Sequence, residues 1–148
     1  MRSRHMNVLV YLVVLLLCCL YAVTRGGLPE RLAVLILVLA IVASHFAPVS
    51  GQYRFQKMEV GLLAVDSGMF LSTMLLSLRA QRYWPMWLSA VYLNIVVTHL
   101  LMLTPSLMPW SYAVANAAWN YPGPLLIAIG AARHRQRLKR YGADPAWS

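Results

Sequence analysis

Asp66 stands near the middle of an apolar stretch, and polar side chains recur at comparable positions in the neighbouring stretches: His45, His99 and Asn116, with Asn94 and Asn120 a little further along. A charged group at mid-bilayer costs from about 3 kcal/mol upward. Asp66 must therefore keep its proton or meet a partner, and His99 and His45 are the residues able to serve. A carboxyl–imidazole pair can carry a proton between two bases. The same groups can instead hydrogen-bond helices together without further chemistry. At 100° per residue, Glu59, Asp66, Thr73 and Ser77 fall within about 40° of one another, so both carboxylates share one helix face.

Two histidines on separate stretches also raise bis-imidazole haem ligation. A two-haem protein of the cytochrome b561 kind needs four intramembrane histidines, and two stand at this depth. Haem b through His45 and His99 is therefore a secondary option, and no cofactor or metal is expected. The chain carries no nucleophile elbow, no phosphate-cradling glycine loop, no HExxH and no paired acidic cluster for Mg²⁺. An enzyme is thus not the leading expectation.

The elements that must position these residues are helices in a membrane. Of 148 residues, 60% are hydrophobic and only 11% charged, too few charges to cover a soluble domain. A spanning helix needs about 20 mostly apolar residues. Hydropathy predicts spans over about residues 7–24, 31–49, 58–78, 86–104 and 110–130, a single all-α transmembrane domain of five helices. A short basic tail, 131–148, follows. Gly26, Gly27 and Pro29 mark the first turn. The residues of 79–85 (RAQRYWP) make a tight connection whose Tyr83, Trp84, together with Trp87, read as an interfacial belt. On a rise of about 1.5 Å per residue, His45, His99, Asn116 and Asp66 lie about 6–12 Å from the outer boundary.

The third span carries a second face of small residues, Gly61, Ala64, Gly68 and Ser72, on which another backbone can approach closely. In the fifth, Pro122 and Pro124 flank Gly123 and remove donors that would meet the carbonyls of Ala118 and Asn120. A kink or break is expected there. Cys18 and Cys19 are adjacent and read as reduced, small apolar residues.

The net charge of +9 gathers toward one end, where Arg133, Arg135, Arg137, Lys139 and Arg140 follow the last span. Beside a span, such a run reads as a contact to anionic lipid headgroups rather than to nucleic acid. It places the C-terminus in the cytoplasm and, over five spans, the N-terminus outside.

The second half of the chain carries Glu59 then Asp66, Arg82-Tyr-Trp-Pro-Met-Trp87, Thr98-His99-Leu100, Trp110-Ser-Tyr-Ala113, Trp119-Asn-Tyr-Pro122 and an Arg-His-Arg close. Over about residues 58–138 this pattern resembles a group of small polytopic inner-membrane proteins of alphaproteobacteria, a group that brings no activity with it. The resemblance implies a bacterial inner membrane, five helices, and one arrangement containing Glu59, Asp66 and His99. The expectation is a structural or accessory protein that packs on itself or on a larger membrane complex. The alternative is a proton, ion or small-ligand site at the Asp/His/Asn cluster.

Overall fold

The computed structural model describes residues 2–47, 60–80, 82–101 and 118–144. These form five helices: α1 (Arg2–Arg25), α2 (Leu28–Phe46), α3 (Val60–Arg79), α4 (Trp84–Leu101) and α5 (Pro122–Tyr141), with no strand among the described residues. Each helix packs on the next along the chain, α5 returns to α1, and α2 also meets α5 across the ring. Of these helices, α2 and α3 are long and apolar enough to cross a membrane.

Periodicity places the core. On α4, Trp84, Leu88, Tyr92, Ile95 and His99 are buried at helical spacing, so one stripe faces inward along the whole helix. On α5, Gly123, Pro124, Ile127, Gly130 and Ala131 do the same. The exterior is more apolar than parts of the interior. Leu16, Leu20, Leu39, Leu75 and Leu78 lie on the surface, while Glu30, Thr73, Arg82 and His99 are buried. Soluble monomers rarely expose continuous apolar surface beyond a few hundred Å².

Several boundaries depart from the hydropathy reading. α2 begins at Leu28 rather than 31, because Pro29 suits a first turn and Glu30 reaches back to the Gly27 N–H. Of the expected fifth span, residues 110–117 lie outside the described residues; 118–120 are helical and α5 runs from Pro122 on to Tyr141. An interruption stands at Tyr121, beside Pro122 and Pro124 where the break is expected, with Tyr121 N–H donating to the Ala118 carbonyl at 3.4 Å. Residues 131–141 are not an irregular tail. Arg, Lys, Gln and Leu are good helix formers and nothing interrupts them before Gly142. Gly142 then takes the left-handed conformation (φ 71°) and donates to the Leu138 carbonyl at 3.0 Å, a C-cap that turns the chain back.

Trp84 is also corrected. It points into the bundle, 4% exposed, whereas Tyr83 and Trp87 remain outside. Its ring lies flat against α5: a Cβ on Gly130 would stand 2.8–2.9 Å from three of its atoms. The small-residue face of α3 behaves oppositely, since a Cβ on Gly68 would meet nothing within 4 Å. Gly130→Val should therefore lower stability by about 1–3 kcal/mol through overpacking. Gly68→Ala should be neutral or slightly stabilising, by up to about 1 kcal/mol of helix propensity. Thermal unfolding of both variants in one detergent reads the contrast directly.

Candidate functional site

Two polar sites occupy opposite parts of the bundle. The first joins α3 to α4. His99 Nε2 and Asp66 Oδ2 lie 2.7 Å apart, with the His99 side chain 1% exposed and that of Asp66 22% exposed. With Asp66 ionised, Nε2–H donates to the carboxylate; with Asp66 protonated, its O–H donates to a bare Nε2. One proton can thus sit on either side of a single short bond. Thr98 donates to the Asn94 carbonyl at 2.7 Å in the turn before His99. Thr73, buried two turns beyond Asp66, donates to the Met69 and Phe70 carbonyls.

Of the other residues of the predicted cluster, those described lie apart from this pair. His45 is exposed on the last turn of α2, edge-on to Phe46, two turns beyond Leu37, the last buried residue of that helix. Asn94 is exposed and donates to the Ala90 carbonyl of its own helix at 2.9 Å. Asn120 is half-buried on the helical residues 118–120, just before Tyr121. Glu59 and Asn116 lie outside the described residues. A haem bound through Nε2 of His99 would have to take the place that the Asp66 carboxyl holds on that nitrogen. Among the described residues no three His, Cys, Asp or Glu side chains converge as metal ligands would.

The second site was not read from the sequence. Glu30 is wholly buried at the start of α2. Its Oε2 accepts from the Gly27 backbone N–H at 3.0 Å, and its Oε1 accepts from Trp84 Nε1–H at 3.1 Å. The negative charge also sits in a helix first turn, where the backbone dipoles favour it. Gly27 has no side chain because there is no room for one: a Cβ would stand 3.1 Å from Glu30 Oε2 and 2.9 Å from the His134 ring.

His134 leads on to Asp144, which the Gly142 turn folds back over α5. Asp144 Oδ2 accepts from Arg82 at 2.8 Å and from His134 Nδ1, and Oδ1 accepts from Arg137 Nε at 2.8 Å. Burial alone would raise this carboxyl. The hydrogen bonds from Arg82 and His134, then the charges of those groups, outweigh it and hold Asp144 below the usual carboxylate range. Arg137 therefore serves an internal ion pair rather than lipid alone, while Arg133, Lys139 and Arg140 remain exposed and Arg135 is half-buried. One signal was available for this site. The chain has only four acidic residues against 13 Lys and Arg, so each acid is worth asking about.

Comparison of the chain with protein-family models, with curated proteins and with solved structures found no match.

The Asp144 clasp gives a pH dependence of defined sign. Its folded pKa lies below the unfolded one, so the unfolded chain binds the proton more readily. The stabilisation is complete above the unfolded pKa, about 4, and is lost as pH falls through the lower folded value. Thermal midpoints from neutral pH down to about 3 should fall more steeply for the parent than for Asp144→Asn. The variant should already be less stable at neutral pH.

Proposed function

We propose that the chain is a small multi-pass protein of a bacterial inner membrane that acts as a structural or accessory subunit, packing on itself or on a larger membrane complex. The inverted distribution of polarity carries this reading: large aliphatic side chains outside, and Glu30, Arg82, Thr73 and His99 within. In lipid such an exterior costs nothing, and the interior groups find their partners within the protein. The helices run alternately, and contacts from Glu30 to Trp84 and from Arg82 to Asp144 gather the ends rich in Arg and Lys together. The positive-inside rule favours that end as cytoplasmic, with five spans and the N-terminus outside.

An open furrow between α2 and α3 supports the docking role. Its two parts, about 280 and 710 Å³, share Ile36 and Ser72, and Gly68 looks into it with nothing opposite. Small residues beside aliphatic walls suit close approach of another helix. Gly68→Leu should fill the furrow and abolish association while leaving the thermal midpoint of the single chain unchanged within a few degrees, since about 1 kcal/mol moves it that much. Crosslinking in membranes, followed by mass spectrometry of co-purifying proteins, reads the outcome. A lone monomer for the parent, at native abundance, would sink the accessory reading.

The Asp66–His99 pair favours a second reading, a proton- or small-ligand-handling site. Asp66→Asn keeps the shape and removes the charge. It should cost about 1.5–3 kcal/mol, the worth of a charged hydrogen bond, and on this reading also abolish the cellular phenotype of the gene. Unchanged stability together with an unchanged phenotype would remove the working carboxylate.

A further inference from the structure

A cavity of about 450 Å³ opens where the turn before α4 meets the end of α5, and Arg82, Arg133, Arg137, Tyr83, Tyr141 and Asp144 line it. Among the described lining residues three guanidiniums face one carboxylate, so positive charge predominates there before His134 is counted. The carboxylate binds only part of this donor array. Arg137 gives Nε to Asp144, while its Nη2 is buried and has no hydrogen-bond partner among the described residues. A buried donor left idle costs about 1–3 kcal/mol, so such a group favours an acceptor in the cavity. Arg133 stands exposed at the mouth.

We infer that this cavity binds the phosphate of an anionic lipid headgroup. Guanidinium forks match the geometry of phosphate oxygens and hold them by paired, charge-assisted hydrogen bonds. The volume lies within the range of small-molecule sites, about 300–1,000 Å³, and suits a phosphoglycerol group rather than a bare ion. Asp144 repels the anion from one wall, so the phosphate sits on the side of Arg133 and the Arg137 Nη2. The surroundings favour a lipid over a free phosphate ester. Tyr83 and Tyr141, 79% and 75% exposed, flank the mouth as aromatic side chains do at headgroup depth. Next to them Met86 and Trp87 expose apolar surface along α4, where acyl chains can lie. Such basic recesses at the cytoplasmic ends of helices are suited to anionic headgroups. The assignment rests on the membrane reading above and turns a diffuse basic face into one site fed by two helices.

The test uses the full chain, delipidated in a neutral detergent and titrated with short-chain phosphatidylglycerol, phosphatidylcholine of the same chain length, glycerol 1-phosphate and inorganic phosphate. Phosphatidylglycerol should bind saturably and raise the thermal midpoint, phosphatidylcholine should not, and the two soluble phosphates should bind more weakly. Arg133→Gln, which leaves the Asp144 clasp intact, should weaken phosphatidylglycerol about tenfold, the change that about 1.4 kcal/mol produces. Arg31→Gln removes an exposed charge at the same end and should change nothing. Absence of saturable binding, equal binding of phosphatidylcholine, or equal loss in Arg31→Gln overturns the site. Inorganic phosphate binding as tightly as the lipid overturns the lipid assignment. The membrane reading is checked separately by alkaline extraction: release of the chain into the supernatant defeats that reading whatever the titrations show.

Discussion

The arrangement depends on one carboxylate shut away from solvent. A lone ionised carboxylate in an apolar interior carries a desolvation cost far larger than any single packing gain. Glu30 must therefore be met from several directions at once. The Gly27 N–H and the Trp84 indole supply donors, and the first turn of α2 supplies a favourable field. These requirements propagate. Trp84 must point inward to reach Glu30, so α5 must offer Gly130 where the ring lies. Gly27 must lack a side chain, so the His134 ring can rest on it. His134 then presents Nδ1 to Asp144, and Asp144 brings in Arg82 and Arg137. The relative positions of α2, α4 and α5 are consequences of satisfying one acid.

The two polar sites differ in what they can do. At the basic end, each of two carboxylates is met by more than one donor: Glu30 by Gly27 and Trp84, Asp144 by Arg82, His134 and Arg137. Such a set resists change, because moving any member leaves a charge exposed to an apolar surround. The Asp66–His99 pair shares one proton across a short bond, and Asp66 keeps some access to its surroundings. A partly accessible carboxyl–imidazole pair is suited to exchange a proton or admit a ligand. The apolar stripe of Leu88, Tyr92 and Ile95 on α4 runs between the two.

Helix positions were legible where apolar length and punctuation agree: Gly26, Gly27 and Pro29 frame the first turn, and α3 and α4 lie within a few residues of the hydropathy reading. Asp66 was legible because a carboxylate in an apolar run has few options, and His99 was one of its two candidate partners. His45 was placed by depth alone, and depth does not say where along a helix its packing ends: α2 has no buried residue after Leu37. The course of α5 past residue 130 was not read because the basic run was taken as a tail, although arginine and lysine continue a helix readily. Glu30 and Asp144 escaped notice for another reason. Their partners are remote in sequence, and Glu30 was absorbed into a turn. Only the closed ring of helices brings Trp84 and Arg82 to them.

The Gly142 turn has a consequence for the order of events during synthesis. The chain emerges from its N-terminus, so α1 to α4, with Arg82 and Trp84 already in place, exist before Asp144 has been made. The Glu30–Trp84 bond can form on the nascent chain, but the Arg82–Asp144 ion pair cannot. It waits for α5 to dock and for one left-handed residue to reverse the backbone. The clasp at the basic end therefore closes only after α5 has been made, with Arg82 waiting just before α4 for Asp144.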